Sequence, residues 1–128
     1  MPLRVLIVDD NRDAADCLGL LFELTGVVVR VSYGGADALA QAEQFRAHAG
    51  LFDIDMPGMT GLDLAREMRK RPGDGPLLLV AVTGVSSDES RERTTAAGFD
   101  HHLTKPVCGG ELVRLVKDFY RANYPEEG

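Results

Sequence analysis

The stretch Leu51-Phe52-Asp53-Ile54-Asp55-Met56-Pro57-Gly58-Met59-Thr60-Gly61 decides how the rest of the chain is read. A short apolar run ends in a carboxylate, and Pro57, Gly58 and Gly61 then break the backbone. A charge at the end of a buried strand needs a partner, because an unpaired ion near a core is costly. The run Val5-Leu6-Ile7-Val8 ends the same way, in Asp9 and Asp10. Three acids at the ends of two strands point to one shared acidic pocket.

Working outward, apolar runs at Val5–Val8, Val27–Val31, Ala49–Phe52, Leu77–Val82 and, more weakly, Phe99–Leu103 alternate with helical patterns. That alternation is the mark of repeated βαβ units and a parallel sheet. Ala14, Leu18, Leu21, Phe22 and Thr25 recur at helical spacing, with Gly26 as a C-terminal stop. Ala38, Leu39, Ala42 and Phe45 mark a second helix. Leu62, Ala65 and Met68 mark a third, ended by Arg71-Pro72-Gly73. Ser86 or Ser87 is placed to cap a fourth, whose first turn carries Asp88 and Glu89. The last spans Glu111 to Arg121, with Leu112, Leu115, Val116 and Phe119 on one face. The third strand is the weakest, since Ala49 and Gly50 are poor strand formers.

The 128 residues fit one domain, residues 1–124, with a tail at 125–128. An apolar content of 45% and a charged content of 27% are those of a soluble globular chain, and no apolar run is long enough for a bilayer. Two cysteines, Cys17 and Cys108, have no metal or redox spacing and point to a reducing, cytoplasmic setting. A net charge of −6 argues against a general nucleic-acid surface and for metal or basic partners. His48 and His101 read as surface residues, and Arg66, Arg69, Lys70 and Arg71 as a solvated helix face.

In an open parallel sheet, ligands bind beyond the carboxyl ends of the strands. Asp9, Asp10, Asp53, Thr83 and, just after the fifth run, Lys105 all fall on that edge. Two unit charges 4 Å apart repel by about 4 kcal/mol at an effective dielectric of 20. Three carboxylates together therefore call for a cation, and oxygen ligands with open positions suit Mg²⁺. Lys105 adds a point charge and Thr83 a hydroxyl, which completes the outline of a phosphoryl site.

With Val5-Leu6-Ile7-Val8-Asp9-Asp10-Asn11, Asp53-Ile54-Asp55-Met56-Pro57-Gly58-Met59, Val82-Thr83-Gly84 and Leu103-Thr104-Lys105-Pro106 in order, the whole chain resembles the receiver domains of two-component response regulators. Gly98-Phe99-Asp100-His101-His102-Leu103 looks like the receivers attached to hybrid histidine kinases. The resemblance implies a flavodoxin-like, doubly wound (βα)5 α/β sandwich whose five parallel strands run in the order 2-1-3-4-5. It implies that Asp53 takes a phosphoryl group from a histidine kinase or a histidine phosphotransfer protein.

By the same resemblance Asp10 binds Mg²⁺ (or Mn²⁺) directly, Asp9 through water, Asp53 through its carboxylate and Asp55 through its backbone carbonyl. Lys105 pairs with the phosphoryl group or with Asp53, and the Lys105–Pro106 bond is cis. Thr83 turns toward the phosphoryl oxygen, and His102 stands where the family has a rotating aromatic switch. Asp55 and Val85 occupy the positions that tune dephosphorylation. The output face comprises the fourth helix, fifth strand and fifth helix. A rival reading takes Asp53-Ile54-Asp55 as the D-x-D of a haloacid-dehalogenase-type phosphohydrolase. Against it, the sequence continues Met56-Pro57, and the acidic doublet, not this motif, ends the first strand.

Overall fold

The computed structural model describes residues 3–71, 75–84 and 87–125. Val85, Ser86, the Pro72-Gly73 pair and residues 126–128, on which several of the expectations above fall, lie outside them.

Five strands alternate with five helices: β1 (Arg4–Val8), α1 (Arg12–Leu24), β2 (Val28–Ser32), α2 (Gly35–Phe45), β3 (Ala49–Asp53), α3 (Gly61–Lys70), β4 (Leu78–Thr83), α4 (Asp88–Ala97), β5 (His101–Thr104) and α5 (Gly109–Asn123). All pairings are parallel, in the order β2-β1-β3-β4-β5, which is the expected doubly wound arrangement. Side chains alternate across each strand, so the apolar runs feed two cores. Val5, Ile7, Leu51 and Val80 face α1 and α5 with Phe22, Leu112 and Val116. Leu6, Val8, Phe52, Leu79 and Ala81 face α2, α3 and α4 with Leu64 and Ala97. Each large side chain so buried contributes about 1.5–3 kcal/mol. No described helix is long and apolar enough to cross a membrane.

β3, the weakest strand by propensity, is the central one, and all five of its residues are buried. Gly50 is small for a packing reason: a Cβ there would lie 2.7 Å from the Phe52 ring and 3.0 Å from Leu79. Burial between two helical layers overrides local preference.

Several finer expectations are corrected. The buried face of α1 is Ala15, Gly19 and Phe22, and Ala14 is exposed. Gly19 permits the shift, since a Cβ there would meet Val31 at 2.9 Å. His48 is buried rather than on the surface: its Nδ1 accepts the Arg4 backbone N–H at 3.0 Å, and its ring meets Tyr120 and Tyr124 edge-on. Arg69 is no free surface charge. It donates to the carbonyls of Gly98 and Leu77 and pairs with Asp100 at 2.8 Å, while Asp100 also accepts the Leu79 N–H. These bonds tie α3 to the starts of β4 and β5, at the sheet edge away from the acids. α5 is longer than read, and Tyr120 joins its buried face.

Candidate functional site

The site is assembled where β1, β3 and β4 end. β1 delivers Asp9 and Asp10. Asp9 is buried, and its carboxylate accepts the Asn11 N–H at 2.9 Å. Either aspartate could have served only as a helix cap, but that task falls to Asn11, whose side chain accepts the Ala14 N–H at 3.2 Å. Both acids are thereby left to the pocket.

Asp53, the last residue of β3, is 7% exposed. Its backbone position is set by the turn that follows. Gly58 takes a φ of 74°, a conformation that favours glycine. Thr60 then caps α3 in a reciprocal box with Asp63. Gly61 packs its Cα against the Asp53 carbonyl and donates its N–H to Ile54 at 3.2 Å.

Carboxylate oxygens of Asp9, Asp10 and Asp53 lie within 4.8 Å of one another. Lys105 Nζ stands 3.1 Å from Asp9 and 3.7 Å from Asp53. Burial, then the charge of Asp9, pushes the Asp53 carboxyl up to about 7; contact with Asp10 adds to this, while Lys105 and the Asp55 N–H oppose it. Burial pulls the Lys105 ammonium down, but its bond to Asp9 and the charges of Asp53, Asp9 and Asp10 more than offset this, and it is raised. Lys105 is therefore firmly charged, yet one ammonium does not neutralise three carboxylates. A hard cation with oxygen ligands fits the remaining deficit, and Asp9, Asp10 and Asp53 are the residues placed to hold it.

A pH dependence follows. A carboxyl raised in the fold contributes stability that is complete below its unfolded value, near 4, and lost as pH rises through about 7. In metal-free protein, Asp53→Asn should therefore be more stable than wild type at pH 8, by about 2 kcal/mol, with the gap shrinking as pH falls below 7 and closing near pH 4. Thermal melts across that range measure it, and parallel curves for the two proteins would refute it.

Thr83 ends β4, is 1% exposed, and accepts the Lys105 N–H on its carbonyl at 2.7 Å. The Lys105–Pro106 bond is cis. Asp55 is exposed. With Thr83, Ser87, Ser90, Arg93 and Thr94 it lines a cleft of about 140 Å³ beside the acids. His102 lies one strand over from Ala81, two residues below the Thr83–Thr104 pair, and its Nδ1 is 3.1 Å from Thr94 Oγ1. The structure thus brings Asp9, Asp10, Asp53 and Lys105 into contact, places Thr83 and Asp55 on an adjoining wall, and ties His102 to α4.

Three residues here escaped the sequence reading: Asn11, Thr94 and Thr104. Asn11 had the signal of a good cap residue directly before Arg12. Thr94 sits in a helix with little apolar pattern, where only its spacing from Ala97 marks an inward face.

A family model described as response regulator receiver domain matches residues 5–117. An uncharacterised 14.6 kDa protein of Leptolyngbya boryana is 34% identical over 124 residues, covering 97% of this chain and 95% of that protein. Response regulator MprA of Mycobacterium sp. strain KMS is 32% identical over 128 residues; the chain spans 100% of its own length and 55% of that relative. The crystal structure of a CheY-like response regulator receiver domain protein from Methanospirillum hungatei JF-1 superposes with a TM-score of 0.87 at 31% identity, covering 100% of both chains.

Proposed function

This chain belongs to the response regulator receiver domain family, and from that membership we propose that it accepts a phosphoryl group onto Asp53 and signals through the resulting change of surface. The observation that carries this reading is a buried carboxylate at the end of a central strand, within 4.8 Å of two further acids and 3.7 Å from an ammonium. Asp53 Oδ attacks phosphorus, the P–N bond of a phosphohistidine breaks, and the imidazole leaves with the electron pair. The donor is a histidine kinase or a histidine phosphotransfer protein, and the setting is cytoplasmic. Mg²⁺ held by Asp9, Asp10 and Asp53, with the Asp55 carbonyl, would neutralise the phosphoryl oxygens.

Lys105 is already charged and lies 3.7 Å from Asp53, so a short shift from its bond to Asp9 brings it to a phosphoryl oxygen. Thr83 supplies a hydroxyl from the adjoining wall, and His102 responds to its movement. Asp55, which is exposed, would orient water on the acyl phosphate and shorten its lifetime. Val85 shares that tuning role by sequence position.

The reading is tested by stoichiometry. With Mg²⁺ and acetyl phosphate the chain should take up one phosphoryl group per molecule, and it should not turn over p-nitrophenyl phosphate. Sustained release of nitrophenol over many equivalents would overturn it in favour of the phosphohydrolase.

A further inference from the structure

The hydroxyl of Thr94 donates its proton to the Arg91 carbonyl at 2.9 Å. A threonine hydroxyl carries only one proton. With that proton spent on Arg91, His102 Nδ1, 3.1 Å from the same oxygen, is left as the donor and Thr94 Oγ1 as the acceptor. That arrangement puts hydrogen on Nδ1 of His102, whereas the 3.1 Å contact taken alone allows either direction. A buried threonine of α4 thus holds the side chain at the switch position of β5.

A second hydroxyl waits on the same face. The β4–β5 register pairs Ala81 with His102 and Thr83 with Thr104, so alternation places His102 and Thr104 on one side of β5, roughly 6.6 Å apart along the strand. Among the described residues, Thr104 Oγ1 is the one buried side-chain oxygen or nitrogen without a hydrogen-bond partner. Such a group is unfavourable until a partner arrives. It lies toward Thr83 and Lys105, the direction of the acids, whereas Thr94 lies on the helix.

We propose that His102 is a hydrogen-bond donor with two stations, Thr94 Oγ1 in the unphosphorylated protein and Thr104 Oγ1 after phosphorylation. Thr94 is then a positioning residue that sets where α4 sits against β5, and Thr104 is the acceptor that rewards its release. Thr83 and Thr94 line one cleft, so movement of Thr83 toward the phosphoryl group alters the surroundings of the first station. The inference rests on the reading of Asp53 as phosphoacceptor and of Thr83 and His102 as a switch. It adds the two partners that define the switch's end states.

The test is the imidazole nitrogen spectrum of full-length protein labelled with ¹⁵N-histidine at pH 8. In metal-free wild type and Thr94→Ser, neutral His102 should be protonated on Nδ1; in Thr94→Val that preference should be lost. An Nε2–H tautomer in wild type, or an unchanged spectrum in Thr94→Val, overturns the first station. Mg²⁺ with beryllofluoride, a stand-in for the phosphoryl group, should then shift the His102 signals in wild type and leave those of Thr104→Val near their resting position. Binding is followed separately by the rise in melting temperature. Binding without a shift in wild type, or an equal shift in Thr104→Val, overturns the exchange. Failure to bind refutes the phosphoacceptor reading and the exchange with it, while the metal-free tautomer still judges the Thr94 contact alone.

Discussion

Gly61→Ala should cost about 3 kcal/mol or more and should disable the site along with the fold. A Cβ at this position would lie 2.3 Å from the Asp53 carbonyl oxygen and 3.0 Å from Ile54 Cα. Both are backbone atoms of the turn that carries the acceptor, so neither yields as a flexible side chain would. Extra methyls in a packed interior usually cost about 1–3 kcal/mol, and contact with fixed backbone belongs at the upper end. Alanine's advantage over glycine inside a helix, about 1 kcal/mol, offsets only part of this. Chemical denaturation should show a lower midpoint with an unchanged slope. Gly50→Ala is the informative contrast: its closest obstacle is the Phe52 ring, a side chain able to shift, and it should cost less. If Gly61→Ala proves as stable as wild type, the close seating of α3 on Asp53 is wrong.

The second large effect is on metal binding. Asp10→Ala should weaken Mg²⁺ binding by about 100-fold, close to 3 kcal/mol. Asp10 is exposed, so its removal leaves the cores untouched, yet its carboxylate belongs to the group within 4.8 Å that attracts the cation. Calorimetric titration with Mg²⁺ alone measures the change, and the metal-free melting temperature checks that the fold survives. The metal-free variant should be no less stable than wild type, because one of three crowded like charges has gone. Unchanged Mg²⁺ affinity would take Asp10 out of the metal site.

How far the sequence leads is best judged residue by residue. The alternation of strands and helices was legible because runs such as Val5–Val8 and Leu77–Val82 are short, apolar and spaced by helical patterns, while the order of the strands in the sheet followed only from the family resemblance. The pocket was legible for the same reason: strand ends converge on one edge, so Asp9, Asp10, Asp53, Thr83 and Lys105 meet there by topology alone. What escaped depended on tertiary packing. The buried face of α1 turned by one residue because Gly19 lets Val31 approach, a contact between elements that helical periodicity does not contain. His48 looked like a polar loop residue, but Tyr120 and Tyr124, more than 70 positions away, close over it. Thr94, beyond its spacing from Ala97, and Thr104 gave little signal, since a lone threonine in a polar helix or beside a lysine looks like surface until its neighbours are known.

The central claim is that Asp53, and no other carboxylate of the cluster, receives the phosphoryl group. Intact mass spectrometry after incubation with acetyl phosphate and Mg²⁺ tests it most directly, with wild type and Asp53→Asn side by side. Asparagine keeps the shape of the side chain and removes the nucleophilic charge, and its fold should be at least as stable as wild type. Wild type should gain the mass of one phosphoryl group and Asp53→Asn none. Equal incorporation in both would contradict the account.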